Sequence, residues 1–153
     1  MQRSFKNIKG ILIDLSGTLH IENNAIPGAH EALEKLKQSE IKFKFVTNTT
    51  KEDLTSLHQR LKHLQFTIDK DDIYTSLTSA RKLVEKRSLR PHLMLSDKAK
   101  IDFSGVDTSN CNAVVVGLSP SHFNYDDMNV ALNHLLNGSQ LIAINKARYI
   151  NYY

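Results

Sequence analysis

Asp14 stands where an apolar run stops. Ile11, Leu12 and Ile13 lead into it, and Ser16-Gly17-Thr18 follows one residue later. A branched apolar run that ends in a turn is the pattern of a buried strand, and a carboxylate at its carboxyl end is exposed to whatever binds there. Gly17 permits a sharp turn, which would leave the backbone N–H groups of Leu15, Ser16 and Gly17 free to approach a phosphate. An aspartate in that setting can attack phosphorus and become an aspartyl-phosphate. Mg²⁺, a hard cation that takes oxygen ligands, would sit beside it. The other reading of the same residues is a capped turn with no chemistry.

A second polar strand end separates these readings. "IKFKFV", Ile41–Val46, alternates apolar and basic residues and runs into Thr47-Asn48, with Thr47 33 residues after Asp14. That separation is one right-handed strand–helix–strand crossover, so the Asp14 and Thr47 side chains should emerge side by side at one sheet edge. Asn48 and the N-terminus of the next helix would add amide donors and a favourable dipole for an anion. The two segments together favour phosphate chemistry over a structural turn.

The elements that must position these residues alternate between extended and helical patterns. Ile8–Leu15 reads as a buried strand. Pro27-Gly28 introduces a helix through Ala29, Ala32, Leu33 and Leu36. Leu54, Leu57, Leu61 and Leu64 recur at helical spacing, and Thr49 with Glu52 forms a plausible capping box. Leu77–Lys86 is helical again. Beyond Arg90-Pro91 the pattern restarts with "HLMLS" and "AVVVGL" as strands, Met128–Leu136 as a helix and "QLIAIN" as a strand. This alternation predicts an α/β fold with a parallel sheet and covering helices. A charge shift and the Arg90-Pro91 break put a boundary near residue 88, dividing 1–88 from 89–153.

Composition narrows the classes. The chain has 153 residues, 41% hydrophobic and 24% charged, which is the composition of a folded domain with a real core. No apolar run approaches a membrane span, and "MQRSFKNIKG" lacks the apolar centre of a signal peptide. One cysteine, Cys111, excludes an internal disulfide and fits a reducing compartment, so the expected location is cytoplasmic. The net charge of +4 resides in residues 1–88, which hold 15 Lys/Arg against 11 Asp/Glu, while 89–153 hold 5 of each. The densest basic stretch, Arg81, Lys82, Lys86, Arg87 and Arg90, surrounds a helix without interleaved aromatics. It reads as a solvated helix face, with no nucleic-acid or membrane partner. Of the seven histidines, none forms an i,i+4 pair; His58 and His63 read as helix-surface residues, and Cys111 as a loop thiol.

The segments "ILIDLSGTLHIENNAIPGAHEAL", "FVTNTTKE", "IYTSLTSAR" and "NAVVVGLSPSHFNYDDMNVALNHLLNGSQLIAINKARY" together resemble the haloacid dehalogenase superfamily. More narrowly they resemble its NagD-like subgroup, in which a large α/β cap is inserted after the second motif. The resemblance implies a Rossmann-like core, here partial, and a cap, also partial: residues 1–88 as the N-terminal part of the core and 89–153 as the first part of the cap. It implies that Asp14 is the nucleophile and a Mg²⁺ ligand, and that the Ser16 main-chain carbonyl is a second ligand. It makes Thr47 the residue that hydrogen-bonds the phosphoryl group, with Asn48 beside it. A small phosphorylated substrate follows.

Two departures from the family pattern qualify that expectation. Most superfamily phosphatases carry Asp at the Ser16 position as general acid and base. A hydroxyl cannot do this near neutral pH, and the loss matters least for leaving groups that depart easily, such as those of a phosphoramidate or pyrophosphate. Serine also has precedent in the resembled subgroup. The second departure is graver. The resemblance calls for a third-motif lysine and a Gly-Asp-Asp-type acidic turn after the cap, and the sequence stops inside the cap at "RYINYY". Asp126-Asp127 at a helix start and Lys146 after a strand do not align with those motifs. The chain is therefore expected to be weak or inactive alone, with Tyr149, Tyr152 and Tyr153 exposed and an unpaired Ile8–Leu15 edge open to self-association. The rival classes are a non-catalytic phosphate-binding or interaction fragment, and a phospho-receiver domain. The receiver's acidic pair is absent.

Overall fold

The computed structural model describes residues 8–146. Tyr149, Tyr152 and Tyr153 lie outside that range. The chain divides into two compact units, one made of residues up to Thr47 with Thr55–Tyr74, the other of Asn48–Leu54 with the residues from Thr75 onward.

In the first unit, β1 (Gly10–Asp14) pairs in parallel with β4 (Lys42–Thr47), and the sheet order is β1-β4-β5, with β5 at Ile73–Thr75. Between β1 and β4 the chain forms a two-residue hairpin, β2 (His20–Ile21) and β3 (Asn24–Ala25), and then α1 (Ala29–Lys37). α1 begins at Gly28, whose φ of 81° is a left-handed conformation open to glycine at no steric cost. Pro27 thus precedes the cap and does not occupy the first helical turn. Phe45 from β4, Leu57 and Leu61 from α2 (Leu54–His63), and Phe66 are all buried, and His30 stacks on Phe66 at 4.2 Å.

β1 is not the fully buried strand that its composition predicts. It alternates between exposed and half-buried residues, and Leu12 is 71% exposed. Among the described residues it has β4 on one side and no strand on the other. β4 alternates as its sequence implies: Lys42 and Lys44 face solvent, and Lys44 pairs with Asp72 at 2.7 Å.

The second unit is built on a parallel sheet, β6 (Pro91–Met94), β7 (Ala113–Val116) and β8 (Gln140–Ala143), in the order β6-β7-β8. One face carries α3 (Ser76–Lys86) and α4 (Asp97–Lys100). Leu77, Ala80 and Val84 of α3 form a buried cluster with Leu95, Ala99, Phe103, Ala113 and Val115. The other face carries α5 (Tyr125–Leu136), where Met94, Val114 and Ala131 form a much smaller cluster edged by Val116 and Leu135. Thr75, Ser96 and Asn124 cap α3, α4 and α5, each side-chain oxygen accepting an amide three residues on. Among the described residues no helix is long and apolar enough to cross a membrane.

Candidate active site

The crossover from β1 to β4 brings the two candidate strand ends together. The register pairs Asp14 with Val46, so Thr47 stands level with the residue after Asp14. The two therefore share one sheet edge but sit one step out of register. Asp14 is exposed, whereas Thr47 is buried. A solvated carboxylate can reach a ligand outside the edge, and a buried threonine is held in place by its surroundings.

The turn after Asp14 closes on itself. The Leu15 carbonyl accepts from the Thr18, Leu19 and His20 amides at 3.2, 2.9 and 3.3 Å, and the Gly17 amide donates to the His20 carbonyl at 2.8 Å. Of the three amides expected to approach a phosphate, that of Gly17 is thus already engaged. What Gly17 supplies is its φ of 83°, which lets the chain turn back toward His20. The bridge between Ser16 and His20 runs through the Leu15 carbonyl and the Gly17 amide. It leaves the Ser16 carbonyl out, and the Ser16 side chain is exposed. The residues present are oxygen donors of the kind Mg²⁺ takes: the Asp14 carboxylate and the Ser16 carbonyl. Among the described residues no three His, Cys, Asp or Glu side chains gather as a metal site.

Asn48 follows Thr47 directly, is exposed, and folds with the second unit. Among the contacts of its segment, Ser76 Oγ donates to the Thr49 carbonyl at 3.1 Å, and the Leu54 amide donates to both carboxylate oxygens of Asp102 at 3.0 and 3.2 Å. The Asp102 carbonyl in turn accepts from Arg81 Nη1 at 2.7 Å.

This corrects two sequence expectations. α2 starts at Leu54, too late for a Thr49–Glu52 capping box, and its first amide is taken by Asp102, 48 residues away. The α2 N-terminus already faces a carboxylate, which compensates the dipole that was expected to attract an anion. No local motif marks Asp102, so sequence spacing could not have found it. Because an uncapped helix amide is costly, Asp102→Ala should destabilise the chain by about 0.5–2 kcal/mol, and Asp102→Asn, which keeps an acceptor, by less. Urea unfolding of the two variants checks this.

The remaining candidates lie where their sequence context puts them. His58 Nε2 contacts the Ile68 carbonyl and His63 Nδ1 the Gln59 carbonyl, both beside α2. Asp126 and Asp127 occupy the first turn of α5, and Lys146 is exposed after β8.

Asp14 thus closes one strand of a parallel sheet and Thr47 closes its neighbour. The family model for haloacid dehalogenase-like hydrolases matches residues 11–109, and the chain belongs to that family. It is 55% identical over 142 residues to haloacid dehalogenase-like hydrolase domain-containing protein 2 of Bos taurus, covering 93% of this chain and 55% of that one. To phospholysine phosphohistidine inorganic pyrophosphate phosphatase of Mus musculus it is 34% identical over 148 residues, with the same coverage. Among solved structures it resembles glycerol phosphate phosphatase of Mycobacterium tuberculosis in complex with magnesium. That match has a TM-score of 0.75 at 25% identity, over 92% of this chain and 45% of that one. The chain thus spans about half the length of the curated relatives it matches.

Proposed function

We propose that residues 1–153 are the nucleophile-bearing part of a Mg²⁺-dependent phosphatase, comprising the N-terminal part of its core and the first part of its inserted cap. The observation that carries this reading is the parallel pairing of β1 with β4, which sets Asp14 and Thr47 at one edge. The phosphatase names of two relatives, one of them bound to magnesium, support it.

In the proposed reaction a carboxylate oxygen of Asp14 forms a bond to phosphorus, and the bond to the leaving group breaks with its electron pair. Water then attacks the aspartyl-phosphate, releases inorganic phosphate and restores the carboxylate. Asp14 and the Ser16 carbonyl would hold Mg²⁺, whose charge neutralises the phosphoryl oxygens. Thr47 would hydrogen-bond one of those oxygens, while Leu15, Ser16, Gly17 and Asn48 frame the group. No acid sits two residues after Asp14 to protonate the departing atom. Small substrates with good leaving groups, phosphoramidates or pyrophosphate, therefore suit the site better than simple phosphomonoesters.

Residues 1–153 offer Mg²⁺ one carboxylate of this site and the phosphoryl group no motif lysine. By themselves they should turn over 4-nitrophenyl phosphate no faster than buffer. A chain extended with the relatives' C-terminal half should do so only with Mg²⁺, with Mg²⁺ and inorganic phosphate each tightening the other in calorimetric titration. Independent binding without turnover in the extended chain would leave the non-catalytic phosphate-binding reading standing. The exposed Leu12 on β1 supports self-association of the short chain, which light scattering would report.

A further inference from the structure

Beneath α5 the second unit gathers titratable groups that the proposed phosphoryl chemistry does not use. His92 of β6 lies against His134 of α5, their ring centroids 5.3 Å apart. His122, in the turn before α5, lies between a cation and an anion. Its Nδ1 is 2.7 Å from Asp127 Oδ2, and its Nε2 is 3.0 Å from Lys100 Nζ. Lys100 also reaches Asp97 at 3.3 Å, and Asn124 Nδ2 donates to Asp127 Oδ2 at 2.9 Å.

The two partners of His122 differ in what they can offer. An ammonium has only protons to donate and a carboxylate only lone pairs to accept with. The arrangement suits a ring whose Nδ1 proton points at Asp127 and whose Nε2 accepts from Lys100. A second proton, placed on Nε2, turns the Lys100 hydrogen bond into a contact between two cations. Protonated rings at His92 and His134 would likewise face each other across the seam between β6 and α5.

Little else holds that seam. Ala131 is the one buried residue on α5, and the apolar cluster beneath it is Met94 and Val114 with Val116 and Leu135 at its edge. Along the same helix Tyr125, Met128, Leu132 and Leu136 are exposed. By contrast, α3 on the opposite face contributes three residues to a nine-residue buried cluster.

We propose that His92, His122 and His134, set against Lys100, form a proton-operated latch that holds α5 on the β6-β7-β8 sheet near neutral pH and loosens it in mild acid. The groups facing the seam are Asp97 and Lys100 from α4, His122 from the turn, Asp127 and His134 from α5, and His92 from β6. Two of them are carboxylates, which temper the effect. Hydrogen bonds from His122 and then Asn124 hold the Asp127 carboxyl below its ordinary range, so it stays ionised in mild acid.

The sign follows from His92. Burial first, then His134, keeps its pKa below the ordinary 6.5 in the folded chain, with Asp127 opposing. As pH falls through 6.5 the opened form takes up a proton that the closed form refuses, so opening is favoured until the folded pKa is passed. One such histidine multiplies the opening equilibrium by at most about ten per pH unit.

Amide hydrogen exchange on residues 1–153 at about pH 7.5 and about pH 5.5, corrected for intrinsic rates, tests the latch across the histidine range. The α5 amides should lose protection by up to about ten-fold for each proton taken up, while those of α3 hold. His92→Gln should remove most of the pH response, and His122→Asn or His134→Gln should weaken it, which keeps the test open if one variant fails to fold. Protection of α5 that does not depend on pH, or that falls in step with α3, would overturn the proposal. So would a full response in all three variants.

Discussion

Asp14→Asn is expected to abolish covalent phosphoryl transfer in a chain extended with the family's C-terminal half. The amide has the same shape as the carboxylate but no nucleophilic oxygen and no charge. A reactive donor such as acetyl phosphate should therefore leave no acid-stable label on the variant, where the parent is labelled. The same change removes the one carboxylate that residues 1–153 bring to the proposed Mg²⁺ shell, so metal affinity should fall together with labelling. Stability should hardly move. Asp14 is exposed at the end of β1, and surface replacements without buried partners usually change stability by less than about 0.5 kcal/mol. Unchanged thermal unfolding with lost labelling is the expected pair of results. Labelling of the variant at the parent's level would show that Asp14 is not the nucleophile.

That such a residue could be picked from the sequence has a physical basis. A strand end is legible because an apolar run must stop where the sheet stops, and Asp14 and Thr47 each close such a run. Their separation matches one crossover, the shortest connection that joins parallel neighbours, and β1 and β4 do pair. The longer helices were legible for a similar reason. Leu57 and Leu61 of α2, and Leu77 and Val84 of α3, repeat at helical spacing and are buried together with their own faces.

What escaped was set by a few residues or by distant ones. The hairpin of β2 and β3 has two residues per strand, and β5 has three, too few for any period to register. Thr49 and Glu52 imitate a capping box ahead of the true start of α2, whereas the acceptor for its first amide, Asp102, comes from another part of the chain. The Gly17 amide reads as available because its partner, the His20 carbonyl, is set by a hairpin too short to register in the sequence. The histidine seam escaped for a related reason. His92, His122 and His134 are spread over 42 residues of sequence, and only the packing of α5 on β6 brings them together.

Ser16 poses the sharpest question about chemistry, and Ser16→Asp should answer it. The side chain is exposed, and the bridge at this position uses the backbone of Leu15 and Gly17, so a carboxylate can replace the hydroxyl without disturbing the turn. It would stand two residues after the proposed nucleophile, the position that the resemblance to the superfamily assigns to a general acid and base. Protonation of the departing atom matters in proportion to how poor a leaving group it is. An alkoxide needs that proton, while the phosphate released from pyrophosphate needs it far less. In the extended chain, Ser16→Asp should therefore speed hydrolysis of an alkyl phosphomonoester by roughly 10²–10⁴-fold, the usual range for a positioned general acid, and that of pyrophosphate much less. Steady-state kcat/KM for the two substrates, measured side by side, gives the ratio directly. An equal gain on both would mean that Ser16 does not set leaving-group preference. A gain on neither would mean that the position does not face the scissile bond at all.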